Sequence, residues 1–289
     1  MLILSRSLLR RVAWAALSFI ILGYAAPAAE ESAEKSLEWS GSVGVFSNYI
    51  ARGLSQSWGK PVLQAEVDAA HKSGFIFGAF ASSLSRNLYP GGHTEIDAWV
   101  GYEYPLSEEM AVSVEAFYYA FPKANISKAT CGVAIPCPSR PHSFNTAQVR
   151  VGTTWHGVTL RLDYSLTDYF ADSRPTGFAG STRGTMYWEL NFKQALPRTQ
   201  SWTLMSHLGA TRFPVKYAIA GTGISQNPNY WDWHAGVAKE FKGKLMGWRA
   251  SLLGAGALGR SFDSTPSLIS VRSKDLGKPV LVLGIERAF

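Results

Sequence analysis

The stretch 159-TLRLDYSLTDY-169 alternates at period two from Thr159 to Thr167. Leu160, Leu162, Tyr164 and Leu166 fall on one face of an extended chain. Thr159, Arg161, Asp163, Ser165 and Thr167 fall on the other. The pattern recurs in 62-VLQAEVDAA-70, 95-EIDAWVGYEY-104 and 147-AQVRVGTTW-155. About twelve such segments are predicted, at 39–50, 61–71, 74–84, 94–104, 110–121, 144–155, 158–169, 185–195, 202–213, 230–241, 247–259 and 279–289. The fold class expected is therefore all-β, and no helical stripe interrupts it.

The connections decide between a sandwich and a barrel. Short links such as His156-Gly157 alternate with long ones near 51–60, 85–93, 122–143, 170–184, 214–229 and 260–278. Such parity is expected of an antiparallel transmembrane barrel, with short periplasmic turns and long extracellular loops. Greek-key sandwiches have no reason to obey it. Trp39, Tyr104, Trp155, Trp188, Trp202, Trp231, Trp233 and Trp248 stand near segment ends on the apolar face, where interfacial girdles belong. A closed barrel has no sheet edge, so the segment ending in Phe289 must pair with the first. Leu281, Leu283, Ile285, Arg287 and Phe289 share its lipid-facing row, and Phe289 is the expected assembly signal for the outer-membrane insertion machinery. Twelve strands give a backbone radius of roughly 12 Å, wide enough for water unless a loop folds in; 122–143 is long enough to do so.

The amino-terminal end places the chain outside the cytoplasm. Arg6, Arg10 and Arg11 precede an apolar run that closes on Ala26 and Ala28, so 1–28 reads as a cleaved signal peptide and 29–289 as the barrel. The formal charge of +7 falls to +4 once those arginines go, which is too mild to imply a polyanionic partner. Cys131 and Cys137 are candidates for a local disulfide in an oxidising compartment.

The opposite face of each segment supplies the candidate pore lining. Glu66, Asp68, Glu95, Asp97, Glu103 and Glu115 lie on the first five segments. Arg150, Arg161, Asp163, Glu189 and Lys193 lie on the sixth to eighth, and Asp232 and His234 on the tenth. An Asp–His pair could activate water, which leaves an outer-membrane hydrolase open, but no G-x-S-x-G motif accompanies it. The run 254-GAGALG-259 has nucleotide-fingerprint spacing, yet a loop follows where a helix is required. No cofactor and no metal are expected. Arg52, Lys60, Arg86, Lys123, Lys128, Arg140, Arg174, Arg183, Lys216, Arg260, Arg272, Lys274 and Lys278 make the long loops basic, which suits phosphate-bearing lipopolysaccharide. They are scattered, with no aromatic groove for nucleic acid.

The stretches 48-NYIARGLSQSWGKPVLQAEVD-68, 74-GFIFGAFASSL-84, 162-LDYSLTDYF-170 and 230-YWDWHAGVAKEFKG-243 resemble the TorF-type porin family of proteobacteria, long catalogued as hypothetical proteins. Asn48, Tyr49, Arg52, Gly53, Ser55, Gln56, Pro61 and Gln64 stand in the family's order, and Ala51 departs from an expected aromatic. The resemblance implies an outer-membrane barrel and a channel, with no established substrate and no catalytic residue. The expected function is passive passage of small hydrophilic solutes or ions, with a non-conducting structural or adhesive barrel as the alternative. Expected partners are outer-membrane lipid, lipopolysaccharide, the assembly machinery and those solutes.

Overall fold

A computed structural model describes residues 36–130, 141–197, 201–218, 225–259 and 264–289. Residues 1–28, expected to be a leader, and Cys131 and Cys137 lie outside the described residues. Twelve long strands form the wall: β1 (Leu37–Phe46), β2 (Val62–His71), β3 (Phe75–Ser83), β4 (Thr94–Pro105), β5 (Met110–Ala120), β6 (Thr146–Trp155), β7 (Val158–Ser165), β8 (Met186–Ala195), β9 (Trp202–Arg212), β10 (Tyr230–Glu240), β11 (Trp248–Leu258) and β12 (Val280–Ala288). Each pairs antiparallel with the next, and β12 closes on β1. Among the described residues no helix is long and apolar enough to cross a membrane.

The tightest turn shows how sequence sets register. Trp155 and Val158 face each other across His156 and Gly157, whose φ angles are 47° and 79°. Two consecutive positive φ values define the hairpin turn whose twist matches that of the strands, and glycine at the second position makes it accessible. This turn places Leu160 and Arg161 on opposite faces, and the alternation then runs up both strands.

The outer face is apolar. Leu160, Leu190 and Leu208 are cross-strand neighbours on β7, β8 and β9, and stand 45%, 43% and 59% exposed. Trp39, Phe75, Tyr102, Tyr104, Trp155 and Trp248 ring the short-turn end, and Tyr118, Tyr164, Trp188 and Trp231 the long-loop end. Leucine and valine fill the belt between them. Such a surface is unfavourable in water and favourable in lipid, and it defines a transmembrane barrel. Arg287 sits on this row at the short-turn end, where its guanidinium donates to the Met246 carbonyl.

The seam is the weakest pairing in the ring. β1 meets β2 along its whole length but meets β12 only over Ser42–Phe46. Phe289 extends the seam, because its N–H donates to the Gly41 carbonyl (3.0 Å) and its carbonyl accepts from the Gly41 N–H (3.1 Å). Its ring covers Gly41, where an added Cβ would lie 2.7 Å away.

Two outcomes follow from this geometry. Leu190→Arg should cost about 2–4 kcal/mol, read from urea unfolding in lipid vesicles, while Leu190→Phe should be neutral. Deleting Phe289 removes two seam hydrogen bonds, each worth about 1 kcal/mol, and should lower the urea midpoint of the folded, unboiled gel band. Equal midpoints would show that the seam does not need it.

Candidate functional site

All thirteen residues proposed as pore lining face the barrel interior, but their chemistry divides into two arcs. On β2, β4 and β5, each of Glu66, Asp68, Glu95, Asp97, Glu103 and Glu115 keeps one buried carboxylate oxygen with no hydrogen-bond partner in the protein. On β6 to β8 the charges pair. Arg150 Nε donates to Asp163 Oδ1 (2.6 Å) and its Nη2 to Oδ2 (3.0 Å). Arg161 Nη1 donates to Glu189 Oε1 (3.1 Å). Arg249 on β11 is bonded to Glu286 on β12. Lys193 lies at the short-turn end of β8. Unpaired carboxylates are too costly to bury in a dry interior, so the acidic arc belongs to a wet or cation-bearing lumen.

The lumen is narrowed by 47–61; of the longer 122–143, Ile126 lines the space that remains and 131–140 lie outside the described residues. This first loop turns inward and packs Tyr49 and Ile50 against Phe46, Val62, Leu253, Ala255 and Val282. Asn48 Oδ1 accepts from the hydroxyls of Ser55 and Ser57, both at 2.7 Å, which folds the loop on itself. Gly53, at φ 75°, presses on β10 and β11, where an added Cβ would lie 2.5 Å from Asp232 Cβ and 2.8 Å from the Gly256 carbonyl oxygen. Only glycine tolerates both the backbone angle and the approach. Arg52 then reaches β7, which lies opposite β1 in the ring. Its Nη2 donates to Gln148 Oε1 and Asp163 Oδ2, both at 2.8 Å, and its Nη1 to the Tyr169 hydroxyl (2.7 Å). The guanidinium also lies 4.2 Å from the centroid of the Tyr187 ring.

Arg52 therefore leaves the set of basic loop residues facing outward. Lys60, Arg86, Lys123, Lys128, Arg174, Arg183, Lys216, Arg272 and Lys278 stay exposed at the long-loop end. Lys274 is turned inward enough to donate to the Trp58 carbonyl (2.7 Å), and Arg140 and Arg260 lie outside the described residues. The described part of 122–143 forms a separate apolar cluster, in which Ala124 and Ile126 join Tyr89, Phe121, Phe144 and Ala171.

Asp232 meets His207 of β9 rather than His234. Its Oδ1 lies 3.0 Å from His207 Nε2 and accepts from the Tyr187 hydroxyl at 3.1 Å. His207 Nδ1 lies 2.7 Å from Asn191 Oδ1, and the His234 ring stacks on His207 at 4.6 Å. Both nitrogens of His207 are thus engaged. In the loop after β7, burial, with the charge of Asp168 second, pushes the Asp172 carboxyl up to about 8, so it holds its proton at neutral pH. Among the described residues no group of three side chains is arranged to hold a metal ion.

Above mid-barrel lies a cavity of about 600 Å³, lined by Arg52 and Gly53, by Glu95, Asp97 and Trp99 of β4, by Phe117 and Tyr119 of β5, and by aromatic residues of the loops. Trp99 and Phe117 stack at 5.4 Å, Phe117 and Tyr119 at 5.9 Å, and Arg150 lies 4.0 Å over the Phe117 ring. Alternation would have found Tyr187, His207, Arg249 and Glu286 as inward residues, since Tyr187 shares a face with Glu189 and the other three fall opposite the outward Trp202, Trp248 and Ile285. Nothing periodic marks Arg52, because its loop follows no strand parity.

The architecture is that of the outer-membrane porin barrels. The NanC porin superposes with a TM-score of 0.50 at 9% identity over 86% of this chain and 99% of that one. The KdgM porin gives 0.47 at 7% identity, over 86% and 99%. OccAB3 of Acinetobacter baumannii gives 0.41 at 9% identity, and 89% of this chain covers 65% of it. No curated protein matches the sequence. Residues 30–289 match a family described as "Bacterial protein of unknown function (Gcw_chp)", and the chain belongs to that family.

Arg52→Ala should free the first loop while leaving the wall intact, because Asp163 keeps Arg150. Amide hydrogen exchange over 48–57 should rise at least about tenfold, with unchanged protection in β4 and β5. Equal exchange would place the hold on the loop elsewhere.

Proposed function

We propose that this protein is an outer-membrane channel of the TorF type, passing small hydrophilic solutes and ions between long extracellular loops and a periplasmic short-turn end. The observation that supports this most is the union of an apolar outer belt with an interior arc of carboxylates that lack protein partners. A structural barrel would gain nothing from burying such groups. The leader and Phe289 suit secretion and assembly, and the exposed loop bases suit lipopolysaccharide phosphates. A catalytic role is not favoured. His207 is held at both nitrogens, so neither is positioned to take a proton from water.

The inward first loop favours one second reading, a barrel that is closed at rest. The two differ in conductance. The channel reading expects steps in planar bilayers, larger in Arg52→Ala, whereas a closed barrel conducts only in that variant.

Cation preference should follow from the wall. The β2–β5 acids act in a narrow low-dielectric passage, while the loop bases are screened over about 8 Å at physiological salt. The reversal potential in a potassium chloride gradient should show weak cation selectivity, reduced in Glu103→Gln combined with Glu115→Gln. Anion preference would overturn this account.

A further inference from the structure

We propose that the cavity above mid-barrel is a binding site for an organic cation, a primary amine carried on an apolar or aromatic body. Glu95 and Asp97 are two apart on β4 and share its inward face. They are only 5% and 6% exposed, and each turns a buried oxygen without a hydrogen-bond partner toward the lumen. The nearby cations are already committed. Arg150 is bonded through Nε and Nη2 to Asp163, and Arg52 is bonded to Asp163, Gln148 and Tyr169. Tyr49 offers Glu95 one hydrogen bond, and the two guanidiniums reach these carboxylates only through space. Two adjacent carboxylates held this way call for N–H donors bearing positive charge.

The rest of the cavity sets the body of the ligand. Tyr119 sits opposite Asp97 in the strand register, and Phe117 sits opposite Trp99. Tyr89 and Phe121 stack above them at 4.9 Å. A volume near 600 Å³ is that of a small-molecule site, far beyond one inorganic ion. Ring faces beside carboxylates attract ammonium groups and shelter an apolar chain. A neutral sugar could stack on the same rings, but its hydroxyls bring no charge to the acid pair.

The proposal deepens the channel reading by naming the class of solute held on the way through, and its test does not require conduction. Calorimetry on the folded protein in detergent, against empty micelles, uses phenethylammonium, its neutral counterpart 2-phenylethanol, and maltose. Saturable binding of the amine alone is expected. It should weaken by about tenfold or more in Glu95→Gln combined with Asp97→Asn, and in Asp97→Asn alone. Glu108→Gln, in the exposed short turn between β4 and β5, should leave it unchanged. Equal binding of the alcohol, preference for maltose, full affinity in the carboxamide variants, or no binding to the folded barrel would overturn the proposal. Binding without conductance in planar bilayers would remove the channel reading and leave this one; conductance without binding would do the reverse.

Discussion

One carboxylate organises the interior. Asp163 is 1% exposed and receives two guanidiniums, Arg150 from the neighbouring strand and Arg52 from a loop rooted on the opposite wall. Its Oδ2 is shared between them. Removing one partner of such a buried group is typically costly, because the remaining charge must be met by water. The first loop thereby becomes part of the wall. The apolar cluster around Ile50, the approach of Gly53 to β10 and the side of the lumen left open all depend on that crossing. The open side runs along Glu95, Asp97 and the rings beside them.

The charge layout follows from the same constraint. The bases of β6, β7 and β11 each have an acidic partner, so that part of the wall is nearly neutral at close range. The acids of β2, β4 and β5 have none so well placed, and each keeps a buried oxygen without a hydrogen-bond partner in the protein. An interior of mixed composition thus has a direction across it, acidic on one side. A counter-ion or ammonium group would be drawn to that side, where the aromatic residues also stand.

Strand number, facing and closure were legible because a barrel wall repeats one simple rule. Alternate residues see lipid or lumen, and the segment 159–167 states that rule. The thirteen inward residues could be placed by counting alone. The first loop could not. Its residues follow no period, and an arginine in a polar loop ordinarily points to water. Asn48, Ser55 and Gln56 look like ordinary turn chemistry until their bonds are seen. The resemblance between this stretch and a family pattern was visible, but its meaning was spatial: most of the shared residues build the inward fold. The partner of Asp232 was missed for a related reason. Asp232 and His234 share a face two residues apart on one strand, while His207 stands across the sheet, in register with His234 and diagonal to Asp232.

The Gly41–Phe289 contact also says something about the order of events during folding. Every other strand pair joins neighbours in the chain, whereas this one joins residues separated by nearly its whole described length. Closing so long a loop costs entropy that local hairpins do not, and contacts of this kind form slowly. The hairpins can zip from their short turns first, giving a curved sheet with two unpaired margins. Until the ring shuts, those margins are open templates for pairing with another chain. The brief overlap of β1 with β12 makes that final step the least secured one, and the phenylalanine ring lying over a glycine gives it a clasp.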